Sequence, residues 1–520
     1  MSEPGKFRVL LTYPNLSMML TPSYAVGLFT SVLKQQGYEI QLFDCTPYLA
    51  SYEFMGEPLP VTRANKLLNS RKFDALALWG EPKKHMLDDY AKMLDAFKPH
   101  AVVFSTVVED TWPQVKDLLK VLQHYPEVAH LIGGVFTTMA PEMAMAHPSV
   151  QCISLGEGEE ILVDFCEAVR NGAAPVHIPG TWARDAEGTI HHNPARPLVD
   201  INKVIPDFSL FDERRFLRPL GARIWKAIPL ETYRGCPYTC TFCNSPRQVT
   251  LAKEKGQGLY LRRKTMPNLR REMEIMINRY KPEFFYINDD AFMARPKQEI
   301  AEFVEMYRDF KIPFWFQTRF EDIDAEKLDW VVKVGCYRIS FGLEHGNEEY
   351  RREKLRRKMT NQFILDQAKI VTASGIPFTL NVLVGMPYET RELLFDSMRL
   401  IREVNSYDAL SVNVFVPYHG TPLREMAIQE GWLDPDAQTT SVISKSLLRM
   451  PPPYLQPDEI LGLQRVFPLY ARLGESRYPE IQMAERFDEE GERVFQALSK
   501  EFYQMAYGVE EAERMLTYAG

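Results

Sequence analysis

Three of the seven cysteines fall within eight residues, in the run TYRGCPYTCTFCNSP, where Cys236, Cys240 and Cys243 form a C-x3-C-x2-C array. Seven cysteines scattered at random over this length would produce the spacing about 0.001 times per chain, so the array is a device. Three soft thiolates this close together are metal ligands, and two kinds of centre suit them. Zinc closes a tetrahedral shell of four N or S donors, and no fourth Cys or His lies nearby in sequence. A [4Fe–4S] cluster on three cysteines keeps one iron open for a substrate or cosubstrate, which makes it the favoured reading. The other four cysteines, Cys45, Cys152, Cys166 and Cys336, stand alone in apolar surroundings and are expected to pack in cores.

Around the array the pattern is strands alternating with helices. The array follows an apolar run at Ile228 to Tyr233, and five further runs come after it, at Phe284 to Asn288, Phe314 to Thr318, Arg338 to Phe341, Phe378 to Val384 and Ala409 to Val416, with helical periodicity between them. Six strand–helix units suit a partial (βα)6 barrel of the TIM type, whose chemistry sits at the carboxyl ends of the strands. Polar and turn residues collect at those ends: Asn288, Asp289 and Asp290 in INDDAF, Arg319 in QTRF, Glu344 in FGLEHG, Asn381 and Gly385 in NVLVGMP, and Pro417 and Tyr418 in VFVPYHGTPL.

The cysteine array, with the aromatic Phe242 before its last cysteine, resembles the signature of the radical S-adenosylmethionine (SAM) superfamily. SAM carries an ammonium, a carboxylate and a ribose, which call for acceptors, a cation and a hydroxyl partner. The resemblance implies that Phe242, Asp289, Arg319, Glu344 and Asn381 bind it. Each also has a plain structural reading: Asp289 as a helix cap, Arg319 paired with Glu321 or Asp322, Glu344 in solvent. The basic run Arg351 to Lys358, interleaved with Glu348, Glu349 and Glu353, is expected to be a solvated helix face.

Ahead of the barrel, residues 7 to 169 alternate strands and helices in a parallel-sheet, Rossmann-like pattern, with an insertion at 46–85. The turn after the first strand lacks the G-x-G-x-x-G of a dinucleotide site, and Glu157 and Glu159 beside Gly156 and Gly158 would repel a pyrophosphate. Three loops stand out: Pro14 and Asn15, GGVFTT at Gly133 to Thr138, and GEGEE at Gly156 to Glu160. With the segment VIPDFSLFDE they resemble the cobalamin-binding domain fused to radical SAM barrels. The resemblance implies a corrinoid lined by Pro14, Asn15, Gly133, Gly134, Val135, Phe136, Thr137, Gly156, Glu157 and Gly158. A D-x-H-x-x-G cobalt-ligand loop is absent, leaving the lower axial ligand unassigned.

The expected fold is thus α/β throughout: a Rossmann-like cobalamin-binding domain (1–173), a connector (174–223), a partial radical SAM barrel (224–430) and a helical carboxyl-terminal region (431–520). In that last region Tyr454, Phe467, Tyr470, Phe502 and Tyr507 are either a lid over the substrate or, the plainer reading, helix packing. A formal charge of −8 argues against a nucleic-acid partner, and no apolar stretch approaches the length of a membrane span. The amino terminus lacks signal-peptide features, so the cytoplasm is expected.

By resemblance the chain is a cobalamin-dependent (class B) radical SAM enzyme holding a [4Fe–4S] cluster, SAM and cobalamin, supplied with electrons by a flavodoxin- or ferredoxin-type donor. The implied reaction cleaves SAM to a 5′-deoxyadenosyl radical, abstracts hydrogen from an unactivated carbon of a small-molecule or peptide substrate, and transfers a methyl group from methylcobalamin. Rival readings are a cyclase, ring-contracting or oxidising enzyme with the same cofactors, a methylthiotransferase, and a noncatalytic iron–sulfur or zinc protein.

Overall fold

The computed structural model describes residues 5–16, 21–49, 67–68, 71–107 and 109–517, so nearly half of the expected insertion, residues 50–66 and 69–70, lies outside the described residues. The first sheet holds the parallel strands β1 (Arg8–Tyr13), β2 (Glu39–Asp44), β3 (Ala101–Thr106), β4 (Ala129–Gly134) and β5 (Cys152–Ser154). Two antiparallel strands, β6 (Thr181–Arg184) and β7 (Ile190–His192), complete the order β2-β1-β3-β4-β5-β6-β7. Central β3 is AVVFST, buried along its whole length, as a strand covered by helices on both faces must be. Alternation decides the faces: Val9 and Leu11 join one core with Val26, Leu33 and Phe165, whereas Leu10 joins a second with Tyr90, Leu94 and Leu118.

The second sheet begins with β8 (Leu217–Leu220), antiparallel to β9 (Arg223–Leu230). A short ladder of β10 (Tyr233–Arg234) and β11 (Arg262–Arg263) follows, then β12 (Phe284–Ile287), β13 (Phe314–Thr318), β14 (Cys336–Glu344), β15 (Phe378–Val384) and β16 (Ala409–Val414). The order is β16-β15-β14-β13-β12-β9-β8, with six successive parallel strands from β9 to β16. Among the described residues β16 and β8 do not pair, so the barrel is partial. Helices such as Met266–Tyr280 and Arg391–Val404 cover its outside and bury one apolar stripe each.

Three sequence expectations change. The first barrel strand starts five residues earlier than Ile228, because hairpin β8–β9 draws Arg223 to Ala227 into the sheet. A helix at Ser245–Glu254 follows the cysteines; it buries only Ser245 and Ala252, so its sequence carries no apolar period. The connector is part of the first sheet through β6 and β7 and is tied to both domains by Asp207, which meets Lys34 at 3.0 Å and Arg279 at 3.0 Å.

Carboxyl-terminal helices at Pro457–Leu473, Tyr478–Ala484, Glu489–Tyr507 and Val509–Thr517 pack against the barrel, with the Gln464 amide donating to Val412 O. Phe467, Tyr470 and Phe502 are buried in the main core and Tyr454 packs on Tyr388 and Trp432. Of these aromatics Tyr507 alone lines the barrel cavity, so packing is the role of the rest. Cys45, Cys152, Cys166 and Cys336 are all buried. Among the described residues no helix is long and apolar enough to cross a membrane.

Candidate functional site

A cavity of about 1100 Å³ occupies the barrel, lined near the carboxyl ends of its strands by Cys236, Cys240 and Cys243. Local geometry delivers the thiols there. Between Arg234 and Cys236, Gly235 takes φ +101°, and a Cβ on it would come within 2.9 Å of the Tyr260 ring. Only glycine turns the chain in that space. Burial pushes the Cys236 and Cys243 thiols up to about 12, so metal binding must release their protons. The Arg319 guanidinium stands 3.4 Å from Cys240 Sγ and is paired with the Glu321 carboxylate, as its plain structural reading expected.

Among the described residues no three Cys, His, Asp or Glu side chains converge closely enough to hold one metal ion. The three thiols line one cavity, and three thiolates suit a polynuclear cluster in which each takes a different iron. The donor set therefore fits a [4Fe–4S] cluster.

Four of the five residues assigned to SAM, Phe242, Arg319, Glu344 and Asn381, line the same cavity. Asp289 does not. It is fully buried, accepting from the Thr232 and Tyr233 amides and the Thr232 hydroxyl and pairing with Arg295 at 2.9 Å, so it braces the segment leading to the cysteines. Its neighbour Asp290 lines the cavity instead, bonded by the Ser245 hydroxyl at 2.9 Å. Burial pushes the Asp290 and Glu344 carboxyls above the ordinary range, relieved by Ser245 in the first and by Arg357 and Arg319 in the second.

Arg357 corrects the reading of the basic run as a solvated face. The helix there covers only Glu348–Glu353, and both Arg351 and Arg357 are buried. Arg351 donates to His345 O and Met359 O, while Arg357 lines the cavity 3.7 Å from Glu344. Charge interleaving hid this, because it records composition and not which side chains a bend turns inward. Gln317 and Asn413 also line the cavity; Gln317 lies two residues before Arg319, the strand period that would have flagged it.

The cobalamin candidates gather at the carboxyl ends of β1, β4 and β5. Asn15 is buried and donates to the Thr46 hydroxyl. Gly134 takes φ +143°, and a Cβ there would lie 1.8 Å from Thr106 O. Gly133 abuts Ser154, and Val135–Met139 form a short helix that turns Phe136 into the core and lets Thr137 donate to Ser154 O. The Gly156 N–H donates to Thr138 Oγ1 at 2.9 Å, joining the GG and GEGE loops. Nearby, Val107 at the end of β3 keeps 42% of its surface exposed. Small and hydroxylated residues beside an exposed aliphatic one fit a flat macrocycle with an amide-rich rim.

Glu157 and Glu159 have another task. Arg234, two residues before Cys236, meets Glu157 at 2.8 Å, Glu159 at 3.0 Å and Glu231 at 2.9 Å. Arg262 also holds Glu157, which accepts the Val199 N–H. The glutamates that would repel a pyrophosphate thus clamp the GEGE loop to the strand that leads into the cysteines. A second contact joins the domains where His419 meets the buried Glu109 at 3.2 Å.

The fold and site define a thiolate-lined partial barrel fused to a corrinoid-type sheet domain. Residues 22–165 match the B12 binding domain and residues 230–401 the radical SAM superfamily. The chain belongs to the cobalamin-dependent radical SAM enzymes. Its relatives include the cytidylyl-2-hydroxyethylphosphonate methyltransferase of Streptomyces wedmorensis, 22% identical over 474 residues and covering 82% of this chain and 83% of that one. The anaerobic magnesium-protoporphyrin IX monomethyl ester cyclase of Rubrivivax gelatinosus is 23% identical over 331 residues, 61% of this chain and 57% of that one. Among solved structures, the methyltransferase TsrM from Kitasatospora setae with cobalamin and a [4Fe–4S] cluster aligns with TM-score 0.56 at 20% identity, over 88% of this chain and 81% of that one. The cobalamin-dependent radical enzyme OxsB, with aqua-cobalamin and SAM, aligns with TM-score 0.63 at 14% identity, over 99% and 75%. These likenesses establish the fold.

Proposed function

We propose that this enzyme is a methyltransferase acting on an unactivated carbon of a small-molecule or peptide substrate. The observation that carries the reading is the Arg234 clamp, which fixes the corrinoid-type loop and the cysteine loop to one short strand and so holds two cofactor sites in register. When bound, the cluster, SAM and cobalamin supply reductive cleavage of SAM and a transferable methyl group. Cys236, Cys240 and Cys243 hold the cluster. Arg319 is the cation for the SAM carboxylate, Asp290 and Glu344 are acceptors for its ammonium and hydroxyls, Asn381 is a hydrogen-bonding partner and Phe242 a packing surface. Asp289 keeps the role the structure gives it, bracing the cysteine loop. The sheet-domain loops from Pro14 to Gly158 hold the corrinoid from the opposite side and, with the barrel wall, exclude water. The reading places the enzyme in the cytoplasm beside a flavodoxin- or ferredoxin-type donor.

The cyclase relative favours a second reading, the same cofactors without methyl transfer. Anaerobic reconstitution with iron, sulfide and hydroxocobalamin, followed by iron and cobalt analysis, tests the cofactor set: about four irons and one corrinoid per chain are expected. Methyl-labelled SAM then separates the readings. Product heavier by one methylene unit and carrying label supports methyl transfer; unlabelled rearranged product supports the cyclase class. A loaded protein that leaves SAM intact under reductant refutes both.

A further inference from the structure

The cavity does not stop at the SAM level. It continues to the amino-terminal ends of the strands, where Ala409 lines it as Asn413 does higher up. Those residues are four apart on β16, about 13 Å at about 3.3 Å per residue. At this lower end the floor is an aromatic plug built from Trp225, Phe284 and Trp315. Tyr286 stacks on Trp315 with ring centroids 4.0 Å apart and planes 9° apart, and the Arg218 guanidinium lies 3.8 Å from the Tyr286 ring centroid.

The cations around this floor divide into two groups. Arg71 and Arg338 share Asp408, and Arg514 pairs with Glu511. Arg218 and Lys72 are different. Among the described residues Arg218 makes no hydrogen bond or ion pair, and its Nε is buried without a partner. Among the described residues the Lys72 ammonium has only the Tyr503 ring, 5.3 Å from its centroid, and burial lowers it to about 8. Two cations that face one cavity and are not themselves paired with a carboxylate are costly unless an anion joins them. A planar guanidinium held flat on an aromatic stack presents its N–H edge to an oxyanion. Both side chains come from outside the barrel proper, one from hairpin β8–β9 and one from the segment preceding Met86, the kind of element that carries specificity on a shared scaffold.

We propose that this floor is an oxyanion site, where Arg218 and Lys72 hold the carboxylate or phosphate of an elongated substrate whose reacting carbon lies at the cysteine end. The proposal rests on the catalytic reading for the position of that carbon. The anionic group sits about 13 Å away, with a planar or apolar middle against the aromatic floor.

The test uses the full-length, cluster-reconstituted protein and two probes, naphthalene-2-carboxylate and its neutral carboxamide, with binding read by titration calorimetry at neutral pH. The carboxylate is expected to bind about tenfold more tightly than the amide, as one charge-assisted hydrogen bond allows. Arg218→Gln brings the ratio to about one, Lys72→Met lowers it, and Arg218→Lys restores part of it. Arg223→Gln, whose guanidinium lies over the Trp225 ring but is already paired with Glu283, keeps the full ratio. Iron content and thermal unfolding of each variant confirm an intact fold, and the two cations are independent targets. Equal binding of carboxylate and amide, binding of neither at millimolar concentration, or an unchanged ratio in Arg218→Gln overturns the proposal. Because no turnover is needed, its failure leaves the methyltransferase reading standing, and failure of SAM cleavage leaves the anion site standing.

Discussion

Arg234→Met removes one guanidinium from three carboxylates. The Arg234 side chain is 16% exposed and its partners Glu157, Glu159 and Glu231 are 9–15% exposed, so solvent screens these pairs weakly. Glu157 retains Arg262, whereas Glu159 and Glu231 lose their ion-pair partner. Deleting one side of a buried pair costs about 3–5 kcal/mol, a large share of a domain's stability of about 5–15 kcal/mol. Glu159 limits that cost. Burial already raises its carboxyl, Arg234 opposes the rise, and without the arginine the folded state binds a proton more tightly still. A carboxyl whose folded pKa lies above its unfolded value adds stability below the unfolded pKa and forfeits it as pH rises through the folded one. The deficit of the variant therefore grows as pH rises above the ordinary carboxylate range. Adding Glu159→Gln removes the stranded charge and recovers about 2 kcal/mol at the alkaline end. Urea unfolding followed by tryptophan fluorescence measures these differences, and the cobalt-to-protein ratio after desalting from hydroxocobalamin shows whether the freed GEGE loop still retains corrinoid; retention is expected to fall. A variant within about 1 kcal/mol of the parent, flat with pH and with cobalt unchanged, would refute the clamp.

Cys240→Ala is expected to lower iron after reconstitution from about four atoms per chain to near zero while leaving corrinoid binding in place, as metal analysis will show. Gly134→Ala sets a Cβ 1.8 Å from Thr106 O at φ +143°; strain and overpacking together cost about 3 kcal/mol, read as a lowered unfolding midpoint with loss of corrinoid. At Asp207 burial alone would raise the carboxyl, but the Ser209 hydroxyl and N–H and the Lys34 ammonium outweigh it and hold it below the ordinary range. Its stabilisation is therefore present above the unfolded pKa and lost as pH falls. Asp207→Asn should cost about 1–2 kcal/mol at neutral pH, limited by the exposure of Lys34 and Arg279, with the difference vanishing in acid unfolding below about pH 4.

Much of the fold was legible because the periodic segments are long and their apolar residues face one way. The helices at Met86–Phe97 and Arg391–Val404 and the strand Phe378–Val384 fall where their patterns put them. Strands β6 and β7 were invisible because three or four residues between prolines hold no period. At the site, the gathering of the cysteines and four of the five SAM candidates around one cavity was legible as chemistry repeated at strand ends. The exchange of Asp289 for Asp290 was not, because adjacent residues of one type differ only in which way the backbone turns them. Arg218 and Lys72 were silent, since an arginine in a hairpin acquires meaning only when its neighbours supply no counter-charge.

Hairpin β6–β7 has a practical consequence for dissecting the chain. β5 is only three residues long, and its outer edge is occupied by β6 through Cys152 opposite Ala183, Ile153 opposite Trp182 and Ser154 opposite Thr181. The B12 binding domain match stops at residue 165, before either covering strand. A fragment cut there, or at residue 173, would bare an apolar edge with its amides and carbonyls unmatched, a template for sticking to further copies of itself. Extending the fragment past Asn193, whose side chain ties the end of the hairpin to Val176 O and Thr181, seals that edge. The smallest portion that keeps to itself in solution is therefore longer than the recognisable domain, and the hairpin that follows it, up to Asn193, belongs to the first sheet.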